Sequence, residues 1–189
     1  MRAIIRRFDG LLRRAEGVFE FCHQADCILR LQRARAAYPF SLLDSAPVQR
    51  GDPVLVLHLW NERMPPTPLD GPDLAWAARF RRLLVGSYRL VARWLAAQPG
   101  LGRVCAVGGV TVLLYGGETQ GALRLVERLG FQVMPYHNPL GRLAEFWENL
   151  YTWAIMWTFN IVSLRHRRLL RIRRAQIWMS TAEFMRRYG

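Results

Sequence analysis

Lysine is absent from this chain: all 27 basic residues are arginine. That excludes Schiff-base catalysis, a phosphate-loop lysine and a lysine general base. Cysteine is scarce, and its odd count of three builds no disulfide framework. Cys22 and Cys27 bracket a turn holding His23, but two thiols and one imidazole fall short of a closed structural zinc site, so the expectation is reduced thiols and no metal. The histidines, at 23, 58, 137 and 166, are scattered. Without a paired-histidine motif and an upstream Asp-Asp partner, the chain lacks deacetylase machinery of its own. Long hydrophobic runs are also missing. The apolar stretch Tyr151–Leu164 is shorter than the ~20 residues of a spanning helix, and the first residues never form the continuous apolar run of a secretory signal. Acid is in short supply: 14 Asp and Glu leave a net charge of +13 and an isoelectric point near 11.2. A GC-rich genome explains arginine in place of lysine, but not the excess over acid. The excess points to an anionic partner, either a phosphate backbone or acidic lipid headgroups.

What is present suits one domain with a real core: 189 residues, 51% of them hydrophobic. Ile4, Ile5, Phe8, Leu11, Leu12 and Ala15 recur at helical spacing with arginines on the other face, a basic amphipathic helix over 1–16. It is suited equally to a membrane surface and to packing on the domain. Val18–Cys22 and Cys27–Arg35 alternate as a hairpin, and Gly51-Asp52-Pro53 leads into a strand at 54–60. A proline-rich connector, Met64–Pro72, precedes a long helix from about Asp73 to Ala97. Arg103–Val107 and Thr111–Tyr115 read as short strands separated by a tight Gly108-Gly109 turn. A helix over Glu118–Leu129 and a strand Phe131–Met134 follow. Asn138-Pro139 is a helix start, after which Leu140, Leu143, Trp147, Leu150, Ala154 and Trp157 step as a core-facing seam. The chain closes with a strand Ala175–Met179 and a helix capped by Ser180, with Glu183 completing a capping box.

The run Pro53–Arg63 holds the leading site candidates, because polar groups emerge at the end of an apolar strand. His58 and Glu62 make a candidate acid–base couple if the chain turns after Trp60. Asn61 would orient a carbonyl or hydroxyl, with Arg63 beside it. A satisfied core histidine and a Glu62–Arg63 surface pair are the plainer alternative. A second candidate is Tyr136–Arg142, where His137, Asn138 and Arg142 sit around a helix start that favours anions. The third is Arg165, Arg167, Arg168, Arg171, Arg173 and Arg174, six arginines in ten residues. Leucine and isoleucine interleave them and tryptophans lie just upstream, which suits the interface of an anionic membrane better than nucleic acid.

His58–Arg63, Gly109-Val-Thr111, Arg128-Leu-Gly-Phe131 and the ending Ile177–Gly189 together resemble the bacterial YkoP-like domain, through most of the chain from about Ala15. The resemblance implies a setting beside polysaccharide deacetylases and cell-envelope glycosyltransferases. It carries over no catalytic residues. The expectation is a single α+β domain over 17–189, a mixed sheet of short strands packed by two long amphipathic helices, with the basic helix 1–16 ahead of it. It would be cytoplasmic and peripheral to the inner membrane, serving envelope lipid or glycan metabolism. Its partner would be an anionic membrane surface or anionic amphiphilic substrate, and beyond that an envelope-glycan enzyme. The cofactor is left open. The alternatives are a small transferase or hydrolase using His58 and Glu62, and an RNA-binding module.

Overall fold

The structure, a computed structural model, describes residues 2–42, 44, 47–98, 104–112, 119–136, 141–164 and 174–189, with backbone alone at 119–122, 142 and 163. In chain order the elements are helix α1 (Arg2–Ala15), strands β1 (Val18–Phe19), β2 (Leu29–Arg35) and β3 (Pro53–Leu59), helix α2 (Leu74–Ala96) and strand β4 (Ala106–Thr111). Helix α3 (Thr119–Arg128), strand β5 (Gln132–Pro135), helix α4 (Arg142–Phe159), strand β6 (Ala175–Ser180) and helix α5 (Thr181–Tyr188) complete it. The strands form one sheet in the order β1-β2-β3-β4-β6-β5. Every neighbour pair is antiparallel except β3 and β4, which run parallel with α2 as their crossover. This is the mixed-sheet α+β fold expected from the sequence.

Strand alternation sorts the two faces. Register pairs Leu31 with Leu57 and Val107 with Met179, and this apolar face carries the main core. Ile28, Leu29, Leu55, Phe80, Leu84, Val91, Phe131 and Phe184 are buried there under α2, α3 and α5. Asp73 caps α2 by accepting from the Trp76 amide at 2.6 Å, and Ser180 caps α5 by accepting from the Glu183 amide at 3.1 Å. The Glu183 carboxylate turns instead to Arg186 and Arg187, so only half of the capping box forms.

The opposite face mixes characters. Ala34, Val54, Val56, Ala106 and Trp178 form a small apolar patch with Phe40, Leu42 and Val48, while Arg30, Gln32, His58, Gln176 and Ser180 put polar groups beside it. Gly108 and Gly109 do not turn the chain; β4 runs straight through them. A Cβ on Gly108 would stand 2.0 Å from the Ile177 carbonyl oxygen and 2.6 Å from the Trp178 ring, and one on Gly109 2.9 Å from the Leu57 oxygen. The glycines are there for close approach, a role that sequence spacing does not separate from a turn.

Helices α1 and α4 cover this second face. Gln32 donates to the Glu16 carbonyl at 2.8 Å at the end of α1, and Tyr136, which continues the β5 strand, donates to Glu148 of α4 at 2.7 Å. The expected core-facing seam of α4 is overturned. Leu143 and Trp147 are 72% and 60% exposed and Leu150, Ala154 and Trp157 only half-buried, whereas the buried residues among the described side chains of α4 are Asn149 and Thr158; Leu140 lies outside the described residues. The helix also begins later than Asn138-Pro139 suggests, at Arg142 behind a Gly141 with φ of 81°.

Candidate functional site

The end of β3 assembles a polar network around Trp60. Arg30 stands opposite His58 in the β2–β3 register and is almost fully buried. A buried guanidinium must be paired, and this one is. Its Nε and Nη2 donate to Glu20 Oε1 at 3.2 and 3.0 Å, and Nη1 donates to Glu62 Oε2 at 3.2 Å. Glu62 also meets Arg13 of α1 at 3.5 Å, and Arg13 pairs with Asp9 at 2.9 Å. The indole of Trp60 lies between two guanidiniums, Arg30 at 4.2 Å and Arg63 at 3.4 Å from the ring centroid. Arg63 in turn donates to the carbonyls of Gln24 and Cys27 at 2.6 and 3.3 Å, pinning the 22–27 turn to the strand end.

His58 and Glu62 therefore lie in one region but share no hydrogen bond. The His58 Nε2 is 2.9 Å from Gln32 Oε1. Gln32 spends its amide nitrogen on the Glu16 carbonyl, so its oxygen accepts and the imidazole proton resides on Nε2. Burial, with the Arg30 charge beside it, lowers the His58 pKa to about 4. The ring is neutral at neutral pH and is a weak base. Asn61 opens a tight helical turn, Asn61–Arg63, and is half-buried, its carbonyl accepting from the Met64 amide at 3.4 Å. This arrangement ties β2, β3, α1 and the 22–27 turn together. Its contacts join His58 to Gln32 and Glu62 to Arg30 and Arg13, rather than His58 to Glu62.

Of the other expected residues, His137, Asn138 and Arg165 through Arg173 lie outside the described residues, as does the Arg142 side chain. Arg174 is not a surface group. Its guanidinium is buried and donates to Asn149 Oδ1 at 2.5 Å and Thr152 Oγ1 at 2.8 Å, with Glu148 at 3.6 Å. It fastens α4 to the start of β6. Arg13, Glu20, Arg30 and Gln32 were not foreseen as site residues. An arginine inside the apolar run Cys27–Leu31, in step with Gln32, is the signal that pointed to them.

The second feature is the outer surface of α1 and α4. Arg2 of α1 lies over Trp157, and Asp9 accepts from the Tyr151 hydroxyl at 2.6 Å. The N-terminal end of α1 thus meets the C-terminal end of α4, and the two helices run in opposite directions. At about 100° per residue, Ile4, Phe8, Leu11 and Ala15 make one stripe, with Asp9 and Arg13 on the far side. The structure turns that stripe outward: Ile4 is 71%, Phe8 53% and Leu11 62% exposed, while Asp9 is the buried residue of the helix, 4% exposed. On α4, Leu143, Phe146 and Trp147 are exposed and Leu150, Trp153 and Trp157 half-buried, opposite the side that holds Glu148 and Thr152. Both helices bury polar groups and present apolar ones, the reverse of an ordinary surface helix. Arg2, Arg6, Arg7 and Arg14 are exposed along α1. No helix among the described residues is long and apolar enough to cross a membrane.

In comparison with known proteins, the family model described as YkoP domain matches residues 27–188, which leaves α1 and β1 ahead of the match. No curated protein and no solved structure gives a match.

Proposed function

The chain belongs to the YkoP domain family, and we propose that it docks on an anionic membrane surface through the outward faces of α1 and α4. One observation carries this reading: the helices covering the second face bury Asp9, Asn149 and Thr158 while Ile4, Phe8, Leu11, Leu143 and Trp147 face out. Contiguous exposed apolar side chains mark interaction surfaces. Leucine and aromatic groups flanked by arginines suit the layer between headgroups and acyl chains. The net charge of +13 supplies attraction of about 1 kcal/mol for each arginine near an anionic surface. From that surface the domain serves cell-envelope lipid or glycan metabolism, the setting the family resemblance implies, beside an enzyme that supplies the chemistry.

The test is co-sedimentation with vesicles of phosphatidylcholine alone and of phosphatidylcholine mixed with phosphatidylglycerol. Binding is expected to the mixed vesicles only. It should weaken as salt shortens the screening length from about 10 Å at 0.1 M to about 3 Å at 1 M. Equal binding to both vesicles, or none, contradicts it.

A second reading, nucleic-acid binding, rests on α2. Arg79, Arg82, Arg89 and Arg93 are exposed along the side of α2 away from buried Phe80, Leu84 and Val91, and the helix contains no acidic residue. Tighter binding to RNA than to the mixed vesicles would favour it.

A further inference from the structure

Two of the three free thiols share one hairpin: Cys22 is half-buried and Cys27 fully buried, while Cys105 is exposed elsewhere. Antiparallel pairing sets Phe19 opposite Leu31, and the Glu20 carboxylate reaches across to Arg30 at 3.0 Å. The turn closes where the Cys27 amide donates to the Gln24 carbonyl at 3.1 Å. Cys22 and Cys27 therefore stand on the two arms of that hairpin, either side of its turn. The Cys22 sulfur folds toward the turn and accepts from the Gln24 amide at 3.4 Å. The Cys27 thiol donates to the Leu29 carbonyl at 3.6 Å. Burial raises the Cys27 thiol above its usual range, and the Cys22 side chain is close enough to act on it directly. One nitrogen of Arg63 donates to the carbonyls of Gln24 and Cys27, which holds the backbone around both sulfurs. Cys105 is remote from them. Its amide donates to the Pro53 carbonyl at the start of β3, whereas the hairpin meets the other end of that strand through Ile28 and Trp60, about 20 Å away at 3.3 Å per residue.

We propose that Cys22 and Cys27 form a reversible redox pair, closed to a disulfide by a low-molecular-weight disulfide. The pair goes beyond the docking reading and does not depend on it. Cys22 is the accessible thiol of the two and meets the oxidant first. Its thiolate attacks one sulfur of the oxidant, a mixed disulfide forms, and the first small thiolate leaves. The Cys27 sulfur then gives up its proton and attacks the Cys22 sulfur, which expels the second small thiolate. Two cysteine thiols are oxidised, the oxidant is reduced to two small thiols, and the two cysteine protons pass to the leaving thiolates. Burial divides the roles. Cys27 is shielded from oxidants in solution but lies beside the Cys22 sulfur, where proximity replaces concentration. The bond closes the loop that Arg63 anchors to the end of β3, next to Trp60.

The experiment incubates the folded full chain with oxidised glutathione, blocks remaining thiols by alkylation, and reads tryptic peptides by mass spectrometry. Wild type is compared with Cys27→Ala and Cys105→Ala. Cleavage after Arg14 and Arg30 leaves Cys22 and Cys27 in one peptide, Ala15–Arg30. In wild type that peptide should lose two hydrogen atoms and escape alkylation, and dithiothreitol should restore its mass. Cys27→Ala should stop at the mixed disulfide of Cys22 with glutathione, and Cys105→Ala should close the bond as wild type does. A wild-type peptide that is alkylated at both cysteines after oxidation, or that keeps glutathione on Cys22 as Cys27→Ala does, overturns the pair. Failure of Cys105→Ala to close the bond overturns it as well. The wild-type peptide decides the matter even if Cys27→Ala, which empties a buried site, folds poorly.

Discussion

Replacing Ile4, Phe8 and Leu11 together by glutamine would test whether the outward stripe of α1 contributes the apolar part of membrane binding. Full burial of such a side chain is worth about 1.5–3 kcal/mol. Their exposures of 71%, 53% and 62% set how much surface remains to be covered on docking. Scaling one by the other gives about 1–2 kcal/mol each and roughly 4 kcal/mol for the three. At 1.4 kcal/mol per decade, vesicle affinity should fall about a thousandfold. Glutamine is a good helix former, and these residues contribute nothing to either buried cluster, so the thermal midpoint should stay nearly constant. Vesicle flotation and circular-dichroism melting on the same preparations give both numbers. A variant that melts far earlier while binding vesicles like wild type would refute the reasoning, because the stripe would then be packed in the folded protein.

Gly108→Ala should destabilise by about 3 kcal/mol in urea unfolding, since its Cβ meets the backbone of β6 at 2.0 Å. Gly86→Ala, with nothing within 4 Å, should gain up to about 1 kcal/mol from helix propensity. His58 has its pKa lowered from 6.5 to about 4, so the unfolded chain binds more protons between those values. Its contribution, about 3 kcal/mol, is complete above pH 6.5 and is lost as pH falls toward 4. A His58→Gln variant measured by urea unfolding across that range should show a flatter profile, and an unchanged slope would count against the buried neutral ring. Asp9→Asn should loosen α1 locally, by about 1–3 kcal/mol. Limited proteolysis within residues 2–15 should speed up while the global melting midpoint stays put, because Asp9 is the buried residue of α1.

Most elements were legible because their signals are local. Alternation placed β2, a proline at 72 and an apolar stripe placed α2, a cap at Ser180 placed α5, and apolar steps placed α4. What failed was orientation. The seam Leu143, Trp147, Leu150 has the spacing of a core face, but spacing records only that apolar residues share a side of the helix, not which way that side points. The outcome depended on partners remote in sequence, Arg174 for Asn149 and Thr152, and Asp9 for Tyr151. The site was half legible for the same reason. His58, Asn61, Glu62 and Arg63 do gather at the end of β3. The groups that hold them, Arg30, Glu20, Gln32 and Arg13, come from other elements through strand pairing and helix docking. A glycine pair that admits Trp178 looks, in one dimension, like a glycine pair that turns the chain.

Amide hydrogen exchange of the full chain with and without anionic vesicles tests the central claim most directly, because it locates the contact. Protection is expected in α1 over residues 2–15 and in the first turns of α4 around Leu143–Trp147, with α2 around Arg79–Arg93 unchanged. Protection of α2 with α1 and α4 unaffected would contradict the assignment of the docking face.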